Sequence, residues 1–151
     1  MGFEQLEVWK RSSKLCTEIY KHFNNFKDFG FRDQITRSSL SIPSNIAEGE
    51  ERGTIKENVQ FLIYARGSCG ELRTQIYIGS EIGYIENDMA SYWIQETKEI
   101  SAMIVSGIVS LLFSSEAIST ALFGNEGMMP NWAKFPMVVF ITTVVWLLVT
   151  F

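Results

Sequence analysis

The chain has 151 residues, of which 46% are hydrophobic and 20% charged, and its formal net charge is −4. That length supports one domain with a real core, and the acidic balance excludes a nucleic-acid binder that works through global positive charge. Charge is unevenly spread: beyond Glu99 only Glu116, Glu126 and Lys134 are charged, so a charged body is followed by nearly neutral, apolar chain.

A first helix is expected over about residues 3–26, where Leu6, Trp9, Cys16, Ile19, Tyr20 and Phe23 recur at helical spacing. Lys10, Lys14, Glu18 and Lys21 fall largely off that apolar face, and Asn24-Asn25 followed by Asp28-Phe29-Gly30 supplies the break. A second helix is expected over about residues 31–51. Its inner face, Ile35, Ser38, Ser39, Ile42 and Ile46, is small and polar enough for close helix approach. Pro43 lies inside this segment and should kink it, with Ser41 or Ser44 available for the freed carbonyl.

Thr54-Ile55-Lys56-Glu57 matches a capping box and starts the third helix. Ile55, Val59, Leu62, Cys69, Leu72, Ile76 and Ile82 form its apolar stripe, and Gly83 ends it. Asn87 is a candidate cap for the fourth helix, where Met89, Trp93, Ile100, Met103 and Gly107 follow at helical spacing. Connections this short join antiparallel neighbours. The expected fold is therefore all-α: an antiparallel up-down four-helix bundle over residues 1–110, with a hydrophobic C-terminal extension over 111–151.

Within that extension, residues 135–151 carry no charge. As a helix they would span about 25 Å, close to a hydrocarbon core, so this stretch is a candidate membrane segment; a buried core helix or strand is the other reading. Residues 1–10 carry Glu4 and Glu7 and no apolar run, so no signal peptide is expected and the body is read as cytoplasmic. Cys16 and Cys69 sit in apolar-periodic segments and read as buried free thiols.

Residues with a catalytic pattern are not found. His22 is the one histidine, no His/Cys cluster exists, and no Gly-rich phosphate loop precedes a helix. Gly67-Ser68-Cys69-Gly70 lacks the spacing and the strand of a nucleophile elbow. Glu48, Glu71 and Glu96 lack the Glu-x-x-His partners of a carboxylate-bridged metal bundle. No catalytic residue, metal, cofactor or small-molecule substrate is expected. Arg37, Asn45, Glu48, Ser68 and Glu71 are instead expected to form an internal polar layer that sets helix register. Arg32, Arg37, Arg52, Lys56, Arg66 and Arg73, from the second and third helices, are candidate nucleic-acid contacts if they share a face; scattered ion pairs on a solvated surface are the alternative.

The most distinctive string is Ser41-Ile42-Pro43-Ser44-Asn45-Ile46-Ala47-Glu48-Gly49. Together with Phe3, Leu6-Glu7-Val8-Trp9, Tyr20, Gln34, Arg37, Arg52, Phe61-Leu62, Ala65-Arg66-Gly67-Ser68, Glu71-Leu72 and Gly83-Tyr84, it resembles the 23S rRNA intervening-sequence proteins, four-helix bundles also described as ribosomal-protein-like. The resemblance covers residues 3 to about 100. It implies a small bacterial protein related to sequences inserted in large-subunit rRNA genes, a homo-oligomer with pentameric rings as the leading form, and RNA as a partner. A related branch assists a retroelement reverse transcriptase and binds nucleic acid through a basic surface. The resemblance suggests no catalytic residue. Residues 101–151 depart from it and resemble, over Phe135-Pro136 and residues 141–151, the C-terminal part of a sodium/solute symporter. A membrane-anchored fusion or transporter fragment carrying the bundle is thus the alternative reading of the chain.

Overall fold

The computed structural model describes residues 2–114, with side chains as far as Leu112. Four helices form: α1 (Glu7–His22), α2 (Phe29–Glu51), α3 (Ile55–Glu81) and α4 (Asn87–Ser114), preceded by a short 3-10 turn at Phe3–Gln5. The chain divides into a compact unit at Met1–Val105 and a second at Ser106–Phe151; of the second, only the end of α4 is among the described residues. Of the expected hydrophobic extension over 111–151, residues 111–114 continue α4, and the rest, with the candidate membrane segment at 135–151, lies outside the described residues. Among the described residues, no helix is long and apolar enough to cross a membrane.

Consecutive helices run antiparallel. Cys16 meets Ser39 and Phe23 meets Phe31, so α1 and α2 run in opposite senses. Ser38 reaches Gln75, Ser41 reaches Ser68, and Gly49 lies against Asn58 and Phe61, so α3 descends as α2 rises. Arg11 meets Glu96 and Glu99 while Glu18 meets Trp93, which closes α4 onto α1. The expected up-down four-helix bundle is the fold.

Each helix buries a seam at alternating spacings of three and four. Leu62, Ala65, Cys69, Leu72, Ile76 and Gly79 do so on α3, and Ala90, Trp93, Thr97, Ile100 and Ile104 on α4. This is the pattern by which helices inclined at about 20° interlock side chains along their length. The α2 face, Ile35, Ser38, Ser39, Ile42 and Ile46, is buried as expected. Ile55 and Ile82, expected in the α3 stripe, are instead exposed at its two ends.

Local signals act mostly where the sequence puts them. Asp28 caps α2, its Oδ1 accepting from the Phe31 amide at 3.0 Å. Thr54 caps α3, its Oγ1 accepting from the Glu57 amide at 3.2 Å. The return half of that capping box differs: the Glu57 carboxylate accepts from the Thr54 hydroxyl at 2.7 Å rather than from an orphan amide. Gly83, with φ of 78°, ends α3 in the left-handed region. The amides of Gly83 and Tyr84 then donate back to Ser80 and Gly79, the paired closure that a glycine after a helix permits. Asn87 is the first residue of α4 rather than its cap, and its Oδ1 accepts from the Ser80 hydroxyl at 3.0 Å.

Pro43 is buried within a continuous α2. The carbonyl it frees belongs to Ser39, four residues earlier. Ser44 does not serve it: its hydroxyl donates to the Leu40 carbonyl at 2.9 Å. The Ser41 hydroxyl accepts from Asn45 and Ser68.

Candidate nucleic-acid interface

The polar layer inside the bundle is made of hydroxyls. Ser12, Ser38, Ser39, Ser68 and Thr97 are buried, and each donates to a backbone carbonyl of its own helix, which removes the cost of an unpaired buried oxygen. At its edge, Ser41 Oγ accepts from Asn45 Nδ2 at 3.0 Å and from Ser68 Oγ at 2.9 Å, tying α2 to α3. Of the five residues expected in this layer, Asn45 and Ser68 therefore take part.

Arg37, Glu48 and Glu71 do not; all three are exposed. Each stands two residues after a buried side chain: Ile35, Ile46 and Cys69 respectively. Two residues turn about 200° round a helix, which carries the side chain to the far side. Glu48 there accepts from Arg52 Nη2 at 2.5 Å in an exposed pair one turn apart.

The six candidate basic residues do not gather into one patch. Arg32 and Arg52 lie at opposite ends of α2, separated by about 30 Å of helix. Both are engaged locally. Arg32 donates to Asp33 at 2.9 Å and lies over the Phe29 ring. Arg52 pairs with Glu48, lies within 3.9 Å of Glu57 and covers the Phe61 ring. Arg37 projects from the outer side of α2. Arg66 and Arg73, each directly after a seam residue and seven apart, share one flank of α3. Lys56 stands in the first turn of α3. Among the described residues, Arg37, Lys56, Arg66 and Arg73 form no ion pair.

A more continuous basic row lies on α1. Lys10, Lys14 and Lys21 are exposed on the ridge opposite Ser12, Cys16 and Ile19. Their spacing keeps them within roughly 40° of arc along about 16 Å of helix, a length that matches a few phosphates of an extended strand. Among the described residues, only Lys14 of the three has an acidic neighbour at ion-pair range, Glu18 at 4.0 Å with Lys14 well exposed. A groove between α1 and α2 runs beside this row, lined by Thr17, Tyr20, Lys21, Asn24 and Leu40. The lysines were visible in the sequence as positions off the apolar face, but only α1's place in the bundle shows that they form one row.

A second charged cluster is structural. Arg11 donates to Glu96 at 2.6 Å and 3.2 Å, and to Glu99 at 2.5 Å, joining α1 to α4. Its hydrogen bonds to Glu96 and then Glu99 make the guanidinium hold its proton more firmly, and the bond from Arg11 holds the Glu99 carboxyl below the usual carboxylate range. Next to it, Trp93 donates to Glu18 at 3.4 Å and stacks edge-to-face on His22. His22 Nε2 is 3.1 Å from the Tyr84 carbonyl, so the sole histidine links helix ends. Cys69 is buried, and burial pushes its thiol up to about 12, which keeps it protonated and unreactive at neutral pH. Among the described residues, no group of three or more His, Cys, Asp or Glu side chains could hold a metal ion.

Comparison with known proteins gives the same architecture a lineage. A solved structure from Bacteroides thetaiotaomicron VPI-5482, a protein of unknown function from the S23 ribosomal protein family, is 26% identical with a TM-score of 0.63. The match covers 67% of this chain and 97% of that one. Among curated proteins none matches. The resemblance of residues 101–151 to a symporter is not borne out by any of these matches. The family model for the 23S rRNA-intervening sequence protein matches residues 4–106, which hold α1 to α3 and most of α4, and the chain belongs to that family.

Proposed function

We propose that this protein is a non-enzymatic, homo-oligomeric bundle that holds RNA against the lysine row of α1. Membership of the 23S rRNA-intervening sequence family carries the RNA assignment. The row of Lys10, Lys14 and Lys21 supports its placement, because among the described residues it is where three exposed cations follow each other along a single ridge. Arg37, Lys56 and Arg73 supply further phosphate contacts at scattered positions. Five copies is the number the family resemblance implies for the assembly, and the cytoplasm its place of work.

Contacts of this kind release counterions, so affinity falls as salt rises, with a logarithmic slope of roughly −0.7 per phosphate on a single strand. Retention of a large-subunit rRNA fragment at low salt is expected to weaken at least tenfold when Lys10, Lys14 and Lys21 are changed together to Glu. Arg37→Glu should produce a smaller loss. Absence of RNA retention at low salt overturns the proposal. Retention unchanged by the triple substitution moves the contact away from α1.

A further inference from the structure

The groove beside the lysine row offers more than a place for phosphates. Ser13, Thr17 and Tyr20 of α1, then Asn24 in the turn after it, follow at spacings of four, three and four. They form the flank between the lysine row and α2. Two hollows open along this groove, and Tyr20 and Asn24 line both. Thr36 and Leu40 face them from α2, and Leu40 is 48% exposed.

Tyr20 is 43% exposed. Among the described residues its ring stacks on no other aromatic side chain, and its hydroxyl has no hydrogen-bond partner. The aromatic residues nearby are arranged otherwise: Phe23, Phe26, Phe31 and Tyr84 pack ring on ring at 4.7–5.8 Å, and Tyr20 stands outside that cluster. Asn24 is exposed, and its carboxamide, which can both donate and accept, makes no hydrogen bond among the described residues. The charges of the groove decide what it attracts. Arg32 and Asp33, at one end, neutralise each other at 2.9 Å. Lys21, at the edge shared with the row, has no acidic neighbour at ion-pair range among the described residues. The unbalanced charge is therefore positive, beside an open aromatic ring and a free amide. That set matches one nucleotide of a single strand: an anionic phosphate, a base with a free π-face and a base edge with unused donors and acceptors. In a duplex the faces and pairing edges are already taken.

We propose that the RNA on the lysine row is single-stranded, and that one unpaired base enters the α1–α2 groove. The base stacks on Tyr20 beside Leu40, Asn24 bonds its edge, and Lys21 holds the adjoining phosphate. Tyr20 precedes Lys21 by one residue, a turn of about 100° towards α2, so ring and cation address the two halves of one nucleotide. The inference rests on the RNA reading above and adds the type of strand and the contact that recognises it. Because every base has a π-face, the Tyr20 contact tolerates any sequence.

The test measures binding of the full chain at low salt to three probes: an unstructured single-stranded RNA, an abasic ribose-phosphate strand of the same length, and a duplex RNA. The single strand should bind roughly fivefold or more tighter than the abasic strand, the gain expected of one stacked base. Tyr20→Ala should remove that advantage and leave the abasic strand and the duplex within about twofold of wild type. Tyr20→Phe keeps the ring and should keep the advantage. Asn24→Ala should weaken the single strand alone. Changing Lys10, Lys14 and Lys21 to Glu should weaken all three probes. No binding of any probe overturns the RNA reading and this inference together. Lysine-dependent binding in which the abasic strand matches the single strand overturns base insertion alone, and so does an equal loss on all three probes in Tyr20→Ala.

Discussion

Two seams of one bundle are held by different chemistry. Away from the turn where Arg52 reaches Glu57 and Glu50 accepts from Asn58, the contacts between α2 and α3 are small and neutral: serine against serine, serine against glutamine, glycine against backbone. Between α1 and α4 they are large and charged: an arginine clasping two glutamates, a tryptophan donating to a third, a histidine against the tryptophan ring. Short side chains let helices approach until backbone limits them, so the first seam is specified by exclusion of volume. Long side chains hold helices through their tips, so the second is specified by pairing and can yield a little. The first seam should therefore respond to added atoms and the second to removed charge.

The largest expected effect is at Gly49. A Cβ there would stand 3.0 Å from Phe61 Cβ and 3.2 Å from the Asn58 carbonyl oxygen, which is backbone and cannot swing aside. Gly49→Leu should cost about 2–3 kcal/mol in chemical denaturation, despite the better helix propensity of leucine. A smaller cost than that of Arg11→Met would reverse the ranking of the two seams.

Arg11→Met keeps much of the packing but leaves Glu96 and Glu99 together without their cation. The side chains of Arg11 and Glu96 are 28% and 19% exposed, so solvent screens the pair. The expected loss is about 1 kcal/mol, shrinking as salt rises. Gly49→Leu should show no such salt dependence, and measuring both at low and high ionic strength separates volume from charge.

Ser68→Ala removes the hydroxyl that donates to Ser41 at 2.9 Å, while Ser41 still accepts from Asn45. About 0.5–1 kcal/mol should be lost, and Ser41→Ala combined with it should cost less than the sum, because both remove the same bond. Full additivity would show that the hydroxyl contact contributes nothing across the seam.

The smallest effect is on pH dependence. The Arg11 bond holds the folded-state carboxyl of Glu99 below its usual range. A depressed carboxylate contributes stability that is complete above the unfolded value, about 4.3, and is lost as pH falls through the folded value. Acid unfolding of the wild type should therefore lose a small contribution below pH 4 that is already absent in Arg11→Met. Parallel acid profiles for the two proteins would remove Glu99 from the account.

Much of this comparison was open to sequence reading on one side only. The small, polar α2 face at Ile35, Ser38, Ser39, Ile42 and Ile46 declares a close approach, because residue size at helical spacing is a local property. The Arg11 cluster is not legible: its partners are 85 and 88 residues away, and only the return of α4 onto α1 brings them together. The observed polar layer differs from the expected one because helical phase, not residue type, decides which side chains face inward. Arg37, Glu48 and Glu71 are two residues past buried positions and turn outward, whatever the company they keep in sequence.

Four helices, the cap at Thr54 and the stop at Gly83 follow from local sequence, since caps and apolar periodicity depend on neighbours within a turn or two, whereas Asp28 reads there only as part of a break and proves to be the cap of α2. Local sequence also carries the family, through a string whose Ile42, Pro43, Ile46 and Gly49 are all buried against the rest of the bundle. Which charges find partners among the described residues depends instead on how the helices pack. Arg11 is engaged at the α1–α4 seam, Arg32 and Arg52 are paired locally, and Lys10, Lys21, Arg37 and Arg66 stand in solvent. Pairing depends on distance in space, which four antiparallel helices set by their register and no local pattern encodes.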